Sequence, residues 1–197
     1  MPLIREATLA DAAPIQAIYA AIVRDTVISF EIDPPTVSEM EARMQAVQQR
    51  FPWLVCEVDG VVVGYVYASP HHERAAYQWS VNVSVYIHPD HHRRGIGRAL
   101  YTSLFALLRL QGIYNAYAGI TLPNPGSVGI HEAMGFEPVG IYRHVGYKFG
   151  AWHDVGWWSL DLQTPVPQPS PPRSVATAKE DPGWNTAIHS GLACLRV

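Results

Sequence analysis

Ser84-Val85-Tyr86-Ile87-His88-Pro89-Asp90-His91-His92-Arg93-Arg94-Gly95-Ile96-Gly97-Arg98-Ala99-Leu100 is the stretch that decides the fold of this chain. It reads as a strand that enters a short basic loop with two glycines, and the loop enters an apolar-faced helix. Upstream, the strand over 77–87 alternates from Trp79 onward. Trp79, Val81, Val83, Val85 and Ile87 face one side, and Ser80, Asn82, Ser84 and Tyr86 face the other. Downstream, Leu100, Leu104, Leu107 and Leu108 form one helical stripe, and Gly112 suits the helix end. Strand, glycine loop and helix in that order bring free backbone N–H groups and a positive helix end to one spot, which suits a phosphate-bearing ligand.

Three readings of 93–98 compete. The plainest is a solvated basic turn. A dinucleotide loop is opposed by Leu100 at the third glycine position and by the lack of an acidic residue in the next strand, over 114–121. A Walker loop is excluded because no Gly-Lys-Ser/Thr follows the glycines. The third is a pyrophosphate site of another family.

Working outward, 3–7 reads as a strand. Asp11 is a candidate cap for a helix with Ile15, Ile18, Tyr19, Ile22 and Val23 on one face, and Pro14 falls in its first turn. Thr36-Val37-Ser38-Glu39 is a capping box ahead of Met40, Met44 and Val47. Strands over 53–58 and 61–68 meet at Asp59-Gly60, a two-residue hairpin signal. A short helix follows Asn124 and ends near Gly135, and strands over 136–145 and 147–162 close the domain. The order β-α-α-β-β-β-α-β-α-β-β predicts an α/β (α+β) fold, a mixed sheet with helices on its faces.

The chain has 197 residues, 48% of them apolar and 16% charged, enough for one domain with a core. A net charge of -3 argues against nucleic acid as a partner and makes the basic cluster a local ligand site. Two cysteines form no disulfide framework, the N-terminus lacks a signal-peptide pattern, and no apolar run reaches the roughly 18 residues of a spanning helix. A soluble, cytoplasmic protein without a membrane partner is expected. The domain is expected over 1–163. Pro165, Pro167, Pro169, Pro171 and Pro172 crowd the start of 164–197, which reads as an extended, flexible tail with at most a short helix near 185–195.

The strand, His92-Arg93-Arg94-Gly95-Ile96-Gly97 and the helix resemble the acetyl-CoA loop of the GNAT superfamily of N-acetyltransferases, with His92 where that loop usually has Gln or Arg. Four further segments bring the resemblance to the phosphinothricin and methionine-sulfoximine N-acetyltransferases. They are Ser84-Val85-Tyr86-Ile87, Leu122-Pro123-Asn124, Ser127 through Gly135, and Gly146-Tyr147-Lys148 with Trp152-His153-Asp154-Val155-Gly156. Together they span about residues 3–162 and leave the tail outside.

The resemblance implies a central, mostly antiparallel sheet splayed at its fourth and fifth strands, acetyl-CoA as co-substrate, and a homodimer. It implies that Val85, Tyr86 and Ile87 line the pantetheine arm, with the backbone of Val85 and Ile87 pairing with it as an added strand would. Arg93, Arg94, Gly95, Ile96, Gly97 and Arg98 would wrap the pyrophosphate. Asn124 would bond the arm, and a helix N-cap is an equal reading for it. His131 matches a histidine proposed to act in catalysis, against the alternative of a packed helix-face histidine. Asn82 stands where the family usually has its glutamate base, and an amide takes no proton.

Replacements for that base are sought in Glu31, His72 and Glu73, each also readable as loop polarity. Arg74 matches an arginine facing the substrate, where a guanidinium would fork a carboxylate. Phe30 and Ser84 complete the expected acceptor pocket, with Trp79 assigned to the core. His88, His91 and His92, and the pair His71-His72, lack metal-ligand spacing, so no metal is expected. The expected reaction is acetyl transfer to the α-amine of a small amino acid. A polyamine or aminoglycoside acceptor, or a non-catalytic acyl-CoA binder, stays open.

Overall fold

A computed structural model describes residues 2–196. The elements run β1 (Leu3–Glu6), α1 (Ala12–Asp25), α2 (Val37–Gln48), β2 (Trp53–Val58), β3 (Val61–Pro70), β4 (Ser80–Ile87), α3 (Ile96–Gln111), β5 (Asn115–Leu122), α4 (Pro125–Ala133), β6 (Glu137–Lys148), β7 (Ala151–Asp161), α5 (Val175–Ala178) and α6 (Trp184–His189). One seven-stranded sheet has the order β1-β2-β3-β4-β5-β7-β6, antiparallel at every pair except β4–β5.

The alternation of β4 sorts its side chains onto two faces. Val81 and Val83 join a core with Leu100, Leu104, Leu107 and Leu108 of α3. Tyr86, on the opposite face, packs against a second core built by Ile15, Ile18, Tyr19 and Val23 of α1 with Met40 and Met44 of α2. Full burial of each such side chain contributes about 1.5–3 kcal/mol, so both faces of the sheet are held firmly.

Local signals act at three turns. Thr36 Oγ1 accepts from Glu39 N at 3.2 Å while the Glu39 carboxylate accepts from Thr36 N at 2.7 Å, closing the capping box. Asp59 and Gly60 take φ of 50° and 81°, the left-handed pair of a tight hairpin. Gly112 ends α3 at φ 83°.

Three expectations are corrected. Asp11 does not cap α1 with its side chain; it lies buried, paired with Arg5 at 2.7 Å and accepting from Thr8 N. Gly146 is not the turn between the last strands, since β6 runs on to Lys148 and the turn is Phe149-Gly150, at φ 51° and 78°. Gly146 instead leaves room for Phe30, whose ring carbon Cε2 lies 2.1 Å from where a Cβ would stand.

The third correction concerns 164–197. Its proline run is exposed at Pro165, Pro167 and Pro171, but Val175, Ala178, Trp184, Ala187 and Ile188 are buried in the same core as α3. α6 packs on α3 and β1. Trp79, assigned to the core, is half-buried and donates from Nε1 to Ser170 O at 2.9 Å. The short helices lack a long periodic pattern because each buries only two or three apolar residues. Trp184 and Ile188 supply enough apolar area to order the segment without one.

Candidate functional site

β4 and β5 pair in parallel at only three positions, Ser80 with Asn115, Val81 with Ala116 and Asn82 with Tyr117. Beyond Asn82 and Tyr117 the strands part. Their outer edges stay paired, β4 to β3 as far as Ile87 and β5 to β7 as far as Leu122. The fork therefore exposes the inner-edge N–H and C=O groups of both strands, which need partners when covered. Ser84, Val85 and Tyr86 line the resulting cleft from one side and Ala118 to Thr121 from the other, with Ile28, Tyr101, Asn124 and His131 completing it. The space is about 390 Å³, open to solvent.

The basic loop over 92–95 lies where β4 ends. Arg93 and Gly95 take φ of 62° and 77°. Left-handed backbone is uncommon for a residue with a Cβ. Here it bends the chain into the N-terminus of α3, where free N–H groups and the helix dipole favour an anion. Arg93, Arg94 and Arg98 are exposed, while Ile96 and Gly97 are buried. A Cβ at Gly97 would stand 2.6 Å from Ile130 Cδ1, so this glycine lets α4 approach α3. His92 donates from Nε2 to Ile87 O at 3.1 Å, which engages one carbonyl expected to serve the arm.

The C-terminal segment reaches this loop. Arg196 N donates to Arg94 O at 2.9 Å, and a Cβ on Gly95 would stand 2.0 Å from Cys194 O. Gly95 thus meets two demands, the left-handed turn and the close approach of the segment.

Asn124 caps α4, its Oδ1 accepting from Ser127 N at 3.0 Å, and it lines the cleft as well. His131, one turn further along α4, is 4% exposed. Its Nδ1 donates to Ser127 O at 2.7 Å, since a carbonyl only accepts. Nε2 is then the acceptor for the Tyr101 hydroxyl at 2.8 Å. Burial lowers the His131 pKa, opposed in part by the Ser127 carbonyl, so the ring is held neutral. Burial also pushes the Tyr101 hydroxyl well up, so it keeps its proton. Tyr101 went unrecognised because its spacing to Leu104 and Leu108 reads as core.

The acceptor side is assembled differently. His71 donates from Nδ1 to Asn82 Oδ1 at 2.9 Å, and the Asn82 amide is oriented by Nδ2 donating to Pro70 O at 3.4 Å. The His71 ring stacks on Tyr117 at 4.3 Å. Of the expected acceptor residues, only Ser84 lies in the cleft wall. His72, Glu73 and Arg74 are exposed on the loop before β4. Glu31 accepts from Arg43 at 2.7 and 3.0 Å and from the Tyr19 hydroxyl at 2.8 Å. Burial works against its charge, but Arg43 and Tyr19 outweigh this and hold its carboxyl below the usual range. Phe30 seats on Gly146 and tilts over His153 at 6.3 Å, and Ile28 takes the place in the cleft wall expected of it.

Lys148 fixes that loop. It is 3% exposed and donates from Nζ to Val23 O and Ser29 O at 2.6 and 2.8 Å. Burial lowers its pKa. Among the described residues, no three His, Cys, Asp or Glu side chains gather as a metal site would require.

Residues 4–157 match the sequence profile of the acetyltransferase (GNAT) domain. The chain is 43% identical over 172 residues to the phosphinothricin N-acetyltransferase of Streptomyces viridochromogenes, covering 87% of this chain and 93% of that one. It is 33% identical over 161 residues to the L-methionine sulfoximine/L-methionine sulfone acetyltransferase of Pseudomonas paraeruginosa, covering 81% and 94%. The structure of a phosphinothricin acetyltransferase from Sinorhizobium meliloti in complex with acetyl-CoA superposes with a TM-score of 0.81 at 32% identity, over 86% of this chain and 96% of that one.

Proposed function

The chain belongs to the GNAT acetyltransferase family, and we propose that it transfers acetyl from acetyl-CoA to the α-amine of a small amino-acid-like acceptor of the phosphinothricin or methionine sulfoximine/sulfone type. The observation that carries this reading is the fork between β4 and β5, opening beside a glycine-bent basic loop at the start of α3. An extended thioester arm pairs with the free strand edges in such a fork, while the loop N–H groups and Arg93, Arg94 and Arg98 face its phosphates. The acceptor class rests on the similarity to the two named relatives.

Val85 N–H supports the developing oxyanion from the β4 side of the cleft. Asn124 serves both as N-cap and as a polar group on the arm. Tyr101 and His131 form a buried wall of the cleft beside the thioester end of the arm, the hydroxyl proton of Tyr101 held in its bond to His131 Nε2. The chain acts in the cytoplasm, a reading supported by two free cysteines, Cys56 and Cys194. It acts there as a homodimer. Tyr142, Val145, Tyr147, Phe149 and Trp152 are each more than half exposed on the β6–β7 hairpin, an apolar patch suited to a second copy.

The test is free-thiol release from acetyl-CoA with phosphinothricin, methionine sulfoximine, methionine sulfone, spermidine and kanamycin. Turnover on an amino-acid acceptor is expected. Turnover confined to spermidine or kanamycin would move the acceptor class, and acetyl-CoA binding without turnover would make the chain an acyl-CoA binder.

A further inference from the structure

We propose that His71 is the general base of the transfer and that Asn82 is the positioning residue that holds it. The inference rests on the acetyl-transfer reading above and assigns a part that reading leaves open. An amino-acid acceptor arrives as an ammonium at neutral pH and attacks only after losing a proton. Asn82 and Tyr117 are the last paired residues before β4 and β5 separate, so they mark the point of the fork. His71 hydrogen-bonds one of them and stacks on the other, which puts its imidazole over that point.

The other candidates are engaged elsewhere or exposed. Glu31 is clamped by Arg43 and Tyr19. The Glu73 side chain is 86% exposed and lies 4.0 Å from Arg50. His131 has both ring nitrogens in hydrogen bonds. His72 is exposed, edge-on to His71 at 4.7 Å.

The hydrogen bond to Asn82 decides which nitrogen works. An amide oxygen only accepts, so Nδ1 carries the proton and Nε2 is the basic nitrogen of the neutral ring. A second partner for the Asn82 amide, Pro70 O, keeps the oxygen rather than the nitrogen toward His71. The rings of His72, Tyr77, Tyr117 and Trp157 surround the imidazole, and among these His72, Tyr77 and Tyr117 titrate.

The step balances as follows. Nε2 takes one proton from the acceptor ammonium, directly or through one water. The freed nitrogen lone pair forms the C–N bond to the acetyl carbonyl carbon. The C–S bond breaks, its electron pair leaves on sulfur, and the second amine proton goes to that sulfur. The products are the amide and the CoA thiol, and the imidazolium returns its proton to solvent.

Two measurements test this. In the first, His71→Ala is assayed on the acceptor found in the panel, across pH. A loss of kcat of about 100-fold is expected, as for other general bases, with KM for acetyl-CoA within about twofold, partial rescue by added imidazole and loss of the acid limb of the profile. Asn82→Asp should move that limb to higher pH, because a carboxylate beside the imidazole favours its protonated form. An unchanged rate and profile in His71→Ala would overturn the proposal while leaving acetyl transfer intact.

The second needs no turnover. Nitrogen-15 NMR of the histidines, assigned with His71→Ala, should show a neutral His71 protonated on Nδ1 in the wild type and shifted toward Nε2 in Asn82→Ala. A neutral wild-type His71 protonated on Nε2 would overturn the proposal even if no acceptor in the panel reacts.

Discussion

The two halves of the cleft are built from different material. The half proposed for the cofactor is backbone: the free edges at the fork, the left-handed turns at Arg93 and Gly95, and the first turn of α3. One contiguous run supplies most of it. The acceptor half is side chain. His71 from the loop after β3, Asn82 of β4 and Tyr117 of β5 meet at the point of the fork, next to a cleft wall to which Ile28 comes from a loop that Lys148 of β6 holds in place. A site built from backbone N–H and C=O groups depends less on which side chains it carries. A side-chain site changes its chemistry with one replacement and needs a compensating neighbour, and His71 is that neighbour for Asn82.

The comparison is sharpened most by the C-terminal segment, which backs the cofactor half through Cys194 and Arg196. Trp184→Ala removes a 4% exposed ring from the α3 core. Such truncations cost about 3–5 kcal/mol, a fall in Tm of roughly 10 °C for a chain of this size. A Tm within 2 °C of wild type, by calorimetry, would return the segment to a loose tail.

Gly95→Asp should weaken acetyl-CoA binding at least 100-fold by titration calorimetry, about 2.7 kcal/mol. It forces a Cβ onto a φ of 77° and against Cys194 O, and it brings a carboxylate to the phosphates. Unchanged affinity would break the assignment of the loop.

Between the halves stands His131. Its pKa is lowered by burial in the folded chain. The unfolded ring takes a proton near pH 6.5, so the unfolded state binds more protons below that value and stability falls as pH drops. Stability read from urea unfolding should therefore decline as pH is taken below about 6.5. His131→Gln should flatten that slope, and an equal slope in the variant would place the acid sensitivity elsewhere.

The smallest effect is expected at Glu31. Glu31→Gln loosens the clamp with Arg43 and should raise the acceptor KM by less than about threefold, since exposed ion pairs are worth about 1 kcal/mol or less. Its pH profile should match the wild type. A lost acid limb in steady-state assays would make Glu31 the base in place of His71.

Much of the frame was legible because it is written in short-range signals. Alternation in β4, the capping box at Thr36, the Asp59-Gly60 hairpin and the stripe of α3 each depend on residues a few positions apart. The break between the last two strands falls at Phe149-Gly150 rather than at 146 because Gly150 takes the left-handed backbone of the turn, while Gly146 stays in β6 and makes room for Phe30. The segment after 164 was misread for a related reason: its order comes from Trp184 and Ile188 meeting α3, which no local period announces.

The sequence by itself determined the strand-loop-helix unit, the element order as far as β7 and the basic, glycine-bent character of 93–98, because backbone conformation follows from glycine placement and apolar period. The tertiary structure alone decided that β4 and β5 part after Asn82, that His71 turns to that amide, that Tyr101 reaches His131, and that the C-terminal segment closes on Gly95. These are contacts between residues far apart in the chain, and their geometry exists only once both sheet faces are packed.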